Sequence, residues 1–190
     1  MFKKFFFAAL LAMFLVVSAF SQSKTNEQIE KQIKKLNAGK NITVGFDEKG
    51  GTSKIFASGE DFGSAANKRA GVQSFSFGMA FVYAGKTLSA APGEINLTFW
   101  VSTKKPRFAE AHDLSIIAGG ETIDLGAARY AAKPKQNMEY LNFKISRENL
   151  AKIAKTSVAK LKIGNAEFQF TPEHLKTFAD LIKISDPAIL

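Results

Sequence analysis

The sequence predicts a mainly β chain, a β-rich α+β fold arranged as an antiparallel β-sandwich of roughly 8–10 strands with two or three short helices. Three observations predict it. Apolar residues alternate with polar or small ones in one run after another, as in "SFSFGMAFVY" and "EINLTFWVS". Glycine- and asparagine-rich turns separate these runs. Two stretches near the C-terminus change to helical spacing and carry caps, placing helices near 147–156 and 172–184.

Residues 1–21 read as a secretory signal peptide. Lys3 and Lys4 precede thirteen apolar residues, Phe5 to Val17, and then the small-residue segment Ser18-Ala19-Phe20-Ser21. Cleavage is expected near Ser21-Gln22, with cleavage after Ala19 as the alternative. As a helix, the apolar run would reach roughly 20 Å, short of a ~30 Å hydrocarbon core, so a membrane anchor is disfavoured. The mature chain then has no membrane-spanning helix and is exported, to a periplasmic or extracellular location. The short Lys-Lys signal reads as bacterial. The chain has no cysteine, so disulfides, thiolate metal sites and a lipid-modified N-terminal cysteine are excluded.

Residues 22–40 read as an N-terminal amphipathic helix. Thr25 and Gln28 form a capping-box pattern, Ile29, Ile33 and Leu36 make a one-sided stripe, and Gly39 is the stop. Such a helix docks on the domain or meets a partner. Residues 41–190 read as a single sandwich domain. In it, Ile42, Val44 and Phe46 alternate, and "DEKGG" turns the chain into Lys54-Ile55-Phe56. Residues 57–71, "ASGEDFGSAANKRAG", read as the longest loop.

Phe75, Phe77, Met79, Phe81 and Tyr83 then form an apolar ridge. A barrel in an outer membrane would alternate like this throughout and lack helices with buried stripes, so the ridge fits a sandwich core. The small residues opposite it suggest that the other face is covered too, by a second sheet or a helix. Ile95, Leu97, Phe99 and Val101 continue the pattern, with Trp100 on the polar side. "DLSIIAGGETIDLG" is a hairpin around Gly119-Gly120, and Leu141, Phe143 and Ile145 mark a further strand. A Gly164-Asn165 turn predicts pairing of Ile163 with Ala166, Lys162 with Glu167, Leu161 with Phe168 and Lys160 with Gln169. Ser146 caps one helix; Thr171-Pro172 starts the last, with Leu175, Phe178, Ala179 and Ile182 as its buried stripe and Pro187 as its stop.

From Asp113 onward, this order of glycine-turn hairpin, strand, Leu-x-x-Ile-Ala helix, Gly-Asn hairpin and final helix resembles a group of small exported bacterial proteins of unknown function. The resemblance covers about 75 residues of packing and turn positions. It implies a β-sandwich-like domain with appended helices, and it carries no catalytic or binding residues.

The sequence offers no catalytic residue, metal ligand or cofactor motif. His112 and His174 lie about sixty residues apart, a spacing that matches no metal pattern, and no Gly-x-Ser-x-Gly elbow is present. A hydrolase using His112 is the weakest reading, since no nucleophile or orienting acid accompanies it. His174 reads as a cap or surface residue. The acidic pairs Asp47-Glu48 and Glu60-Asp61 read as turn solvation rather than as a calcium site.

Without its signal the chain has 24 basic and 17 acidic residues, a net +7 spread along its length. No basic arm stands out, so nucleic acid is not the expected partner. Two basic loops do stand out: Lys104, Lys105 and Arg107 in loop 104–107, and Lys133 and Lys135 in loop 133–135. If they share one end of the sandwich they make one cationic patch. Trp100 is the remaining candidate, either half-buried under a helix or free to stack on a sugar or anchor a partner. These six residues are the candidate ligand site of a non-enzymatic envelope protein. Its ligand is an unknown envelope protein or, alternatively, an anionic polymer or lipid headgroup bound through the basic loops.

Overall fold

The computed structural model describes residues 23–189, so the signal peptide and its cleavage site lie outside the described residues. The chain is mainly β, 44% strand against 25% helix, with three antiparallel sheets and four α-helices among the described residues. The strands are β1 (Lys24–Thr25), β2 (Ile42–Asp47), β3 (Thr52–Ser58), β4 (Ser74–Ala84), β5 (Thr87–Leu88), β6 (Glu94–Ser102), β7 (Asp113–Ala118), β8 (Glu121–Ala127), β9 (Arg129–Lys133), β10 (Met138–Ser146), β11 (Ala159–Ile163) and β12 (Ala166–Gln169). The helices are α1 (Asn26–Lys35), α2 (Ser64–Ala70), α3 (Arg147–Ala154) and α4 (Pro172–Ile184).

A six-stranded sheet, in the order β2-β3-β4-β6-β10-β9, faces a four-stranded sheet, β12-β11-β7-β8; β1 and β5 form a short ribbon. The ridge residues Phe75, Phe77, Met79 and Phe81 are all buried on the inner face of the large sheet. Phe75 stacks on Phe168 of the small sheet with ring centroids 4.1 Å apart, so the two inner faces meet as in a sandwich. The Gly164-Asn165 hairpin has the register that its turn predicts, Ile163 opposite Ala166 through Lys160 opposite Gln169.

All four helices close the rim or the core. Helix α1 has the Thr25–Gln28 capping box and buries Ile29 and Ile33 in the common core. Its stop is not Gly39: the helix ends at Lys35, and Asn37 takes the left-handed conformation at φ 52°. Helix α4, capped by Thr171 with Pro172 in the first turn, drives Leu175, Phe178, Leu181 and Ile184 into the interior.

The long loop is shorter and firmer than its composition suggests. Strand β3 runs to Ser58, and α2 occupies Ser64–Ala70. Between them Asp61 holds the chain: one carboxylate oxygen accepts from the Gly63 amide and the Asn67 side chain, both at 2.7 Å, and the other from the Phe75 amide at 2.9 Å. Phe62 fills the centre of an aromatic cluster with Phe75, Phe77, Phe168, Phe170 and His174. A composition of small and polar residues hides this because one aromatic side chain does the anchoring.

Among the described residues, no element covers the outer face of the large sheet. Ser74, Ser76 and Ala80 are partly exposed and Val82 is 58% exposed. The small residues there serve the aromatic side chains of neighbouring strands, as described next.

Candidate binding face

The strand registers place the outward residues of the large sheet in rows. One row runs Ser76, Trp100, Tyr140, Ala131 across β4, β6, β10 and β9. The next, toward one end of the sheet, runs Ser74, Ser102, Met138, Lys133. The row on the other side is Gly78, Thr98, Asn142, Arg129.

Trp100 lies on this face, half-buried, with no helix above it among the described residues; its neighbours include the Phe56 ring, 6.0 Å away, and the bare backbone of Gly78. A Cβ at position 78 would sit 2.4 Å from Trp100 Cη2 and 2.9 Å from Phe56 Cε2. Glycine in the middle of a strand weakens it, and flanking aromatics that fold over the glycine restore the lost cover. The same arrangement leaves Phe56, Trp100 and Tyr140 as an aromatic strip, and Lys133 Nζ sits 5.1 Å from the Tyr140 ring centroid.

The two basic loops lie at one end of this strip. Lys104 and Lys105 follow the end of β6, Lys133 ends β9, and Lys135 lies in a 3₁₀ turn at Pro134–Gln136. The Thr103 amide donates to the Asn137 carbonyl at 2.9 Å, joining the loops. Lys104, Pro106, Pro134 and Met138 line one small cavity of about 50 Å³. Lys104, Lys105, Lys133 and Lys135 are exposed.

Arg107 has a different position from the four lysines. Its Nε donates to the Ala70 carbonyl at 2.8 Å and its Nη2 to Asn165 Oδ1 at 2.7 Å. The guanidinium thus ties α2 and the β11–β12 turn to the loop, and two of its donor nitrogens are committed within the protein.

The loop is held from below by Glu139, which sequence reasoning missed. This carboxylate is 1% exposed. Its Oε2 accepts from the Arg107 amide at 2.9 Å, and its Oε1 from the Phe108 amide at 3.0 Å and the Tyr130 hydroxyl at 2.8 Å. Three donors compensate the buried charge. The Tyr130 pKa is pushed up to about 12, by burial first and then by the Glu139 carboxylate that accepts its hydrogen bond. The signal was present in "MEYLNFKIS": Glu139 has the same parity as Leu141, Phe143 and Ile145, a carboxylate on an inward face.

Both histidines bond within the fold. His112 Nδ1 donates to the Phe108 carbonyl at 3.1 Å, and its ring stacks on Tyr130. His174 does cap α4, but it is buried, at 1% exposure, rather than on the surface. Its Nδ1 accepts from the Thr171 amide at 3.3 Å, so Nε2 carries the proton and donates to the Glu60 carbonyl at 3.0 Å. Burial holds its pKa below the ordinary value. Each acidic pair has one member that serves its turn, Asp47 accepting from the Lys49 amide and Asp61 from the Gly63 amide, while Glu60 pairs with Lys40 at 2.6 Å. Among the described residues, no group of three histidine or acidic side chains converges to hold a metal ion, and no helix is long and apolar enough to cross a membrane.

Comparison with protein-family models, curated proteins and solved structures gave no match to this chain.

Proposed function

We propose that this chain is an exported, non-enzymatic binding module of the bacterial envelope and that it binds through the open outer face of its large sheet. The observation that carries this reading is the convergence of both basic loops at the Trp100 end of an uncovered sheet face. An aromatic strip beside four exposed lysines suits a ligand with flat apolar surfaces and negative charge. The ligand is therefore an anionic envelope component. The signal-like residues 1–21 support export, and His174, with both ring nitrogens bonded inside the fold, supports a binding role over hydrolysis at that residue.

Crosslinking in the native host, followed by affinity purification of tagged mature protein at low and high salt, tests the reading. Anionic material that is recovered at low salt and lost at high salt is the expected result. A single protein partner retained at both salts would point to an interaction module instead.

A further inference from the structure

Next to the aromatic strip the outer face contains a groove of about 560 Å³, within the usual size range of ligand sites. Its outward walls are Asn96, Thr98, Asn142, Lys144 and Arg129, with Leu125, Tyr130 and Phe143 at its floor. It forms where β9 stops accompanying β10: the pairing ends at Arg129 opposite Asn142, leaving Phe143 to Ser146 without a β9 partner. The groove therefore continues directly from the row that holds Trp100 and Tyr140. From the Lys133 row through the Trp100 and Thr98 rows to the Asn96 row, the stripe runs about 20 Å, at two residues per row.

The polar groups in the groove are of a particular kind. Thr98 Oγ1 donates to Asn142 Oδ1 at 2.9 Å, and Asn142 Nδ2 donates to the Arg129 carbonyl at 3.1 Å, which fixes the Asn142 carboxamide and turns the backbone of Arg129. Among the described residues, neither the Arg129 guanidinium nor the Asn96 carboxamide has an intramolecular partner. Lys144 pairs with Glu94 at 2.8 Å at the far wall. Carboxamides and a hydroxyl offer both donors and acceptors, the match for vicinal hydroxyl groups. A free guanidinium grips a carboxylate with two parallel bonds. Trp100 and Phe56 supply the flat apolar surface on which the C–H face of a sugar ring rests. A lipid headgroup would not need this sequence of surfaces, and the basic loops carry none of the strongly exposed large apolar side chains: those are Val82, Ile117, Val158 and Ile189.

We infer that the ligand of this face is an acidic polysaccharide, with sugar rings on Trp100 and Phe56, ring hydroxyls on Asn96, Thr98 and Asn142, and a uronate carboxylate on Arg129. This deepens, and rests on, the reading of the outer face as the binding surface. The lysines at the loop end take up further charges along the polymer.

The chain's one tryptophan is Trp100, so its fluorescence reports occupancy directly. Mature wild-type protein is titrated with oligogalacturonate, with neutral dextran, with polyphosphate, with poly(dT) and with phosphatidylglycerol vesicles. The expected result is a Trp100 response that saturates with oligogalacturonate and is absent with dextran. Arg129→Ala should weaken it about tenfold, an effect equivalent to one lost charge-assisted contact. Asn96→Ala, an exposed change without a structural bond to lose, should weaken it severalfold while the thermal midpoint stays in place.

Equal binding of oligogalacturonate, polyphosphate and vesicles, unchanged by Arg129→Ala but abolished when Lys104, Lys105, Lys133 and Lys135 become Gln, would overturn the polysaccharide assignment and leave the cationic face standing. Tightest binding to poly(dT) would overturn it in favour of single-stranded nucleic acid. No response to any of the five would overturn both readings.

Discussion

The Trp100 indole leans on the Phe56 ring at 6.0 Å and covers the space that a side chain at Gly78 would occupy. Three strands, β3, β4 and β6, thus cooperate to hold one indole against the open sheet. Gly78→Ala places a methyl group 2.4 Å from Trp100 Cη2 unless the ring moves. The ring is the mobile partner, because it is a side-chain end on a half-buried residue. The expected outcome is a folded protein with red-shifted tryptophan emission and ligand binding weakened about tenfold, measured by fluorescence titration.

Glu139 organises the basic loop rather than contacting a ligand. Glu139→Gln keeps the shape but removes the charge and turns one acceptor into a donor facing the Arg107 or Phe108 amide or the Tyr130 hydroxyl. A loss of about 1.5–3 kcal/mol is expected from urea unfolding, in line with hydrogen bonds to charged groups. Hydrogen exchange at the Arg107 and Phe108 amides should speed up beyond the global change. Unaltered exchange there would remove Glu139 from its anchoring role.

His174 makes the fold sensitive to acid. Its pKa is held below the ordinary 6.5, by burial first, with the Glu60 carbonyl and nearby acids opposing. As pH falls below 6.5 the unfolded chain takes up a proton that the folded imidazole resists, so stability falls. His174→Gln keeps an acceptor for the Thr171 amide and cannot titrate. Thermal melts from pH 7.5 to 5 should show wild type losing more stability than this variant; parallel curves would contradict the assignment.

At the other end of the pH scale stands Lys24, 0% exposed, with its ammonium donating to Gln32 Oε1 at 2.7 Å and to the Ile184 carbonyl at 3.2 Å, at the C-terminal end of α4. Burial pushes it down to about 8, with Asp186 opposing. Between pH 8 and 10.5 the folded state has shed this proton while the unfolded chain retains it, so wild type should gain stability relative to Lys24→Met as pH rises through that window. At pH 7 the Met variant should be no less stable, since it removes a charge from the interior. Chemical denaturation at pH 7 and 9.5 checks both statements.

Much of this architecture was legible in the sequence because alternation and turn chemistry act locally. The Lys160–Gln169 hairpin follows from one Gly-Asn turn, and the caps at Thr25, Ser146 and Thr171 follow from residue types and spacing. Features set by distant contacts were not legible. Phe62 sits among small polar residues, and only the folded chain brings Phe168 and Phe170 to it. The outer face looked covered because its residues are small, while the reason lies on the two neighbouring strands, in the rings of Trp100 and Phe56. Of the candidate site, Trp100 and Lys133 lie on the outer face and Lys104, Lys105 and Lys135 are exposed in loops at its end, whereas Arg107 works as an internal tie. Strand β9, and with it the groove at Arg129, was missed because "RYAAK" is too short to show a period.

The central claim is that the outer face of the large sheet is the binding surface. Site-specific photocrosslinking in the native host tests it most directly, with a photoreactive residue at Ser76, beside Trp100, and in a second strain at Ser115, on the outward side of the small sheet. The account predicts a high-molecular-mass anionic adduct from position 76 and none from position 115. Adducts from position 115 alone would contradict it and move the binding surface to the other side of the sandwich.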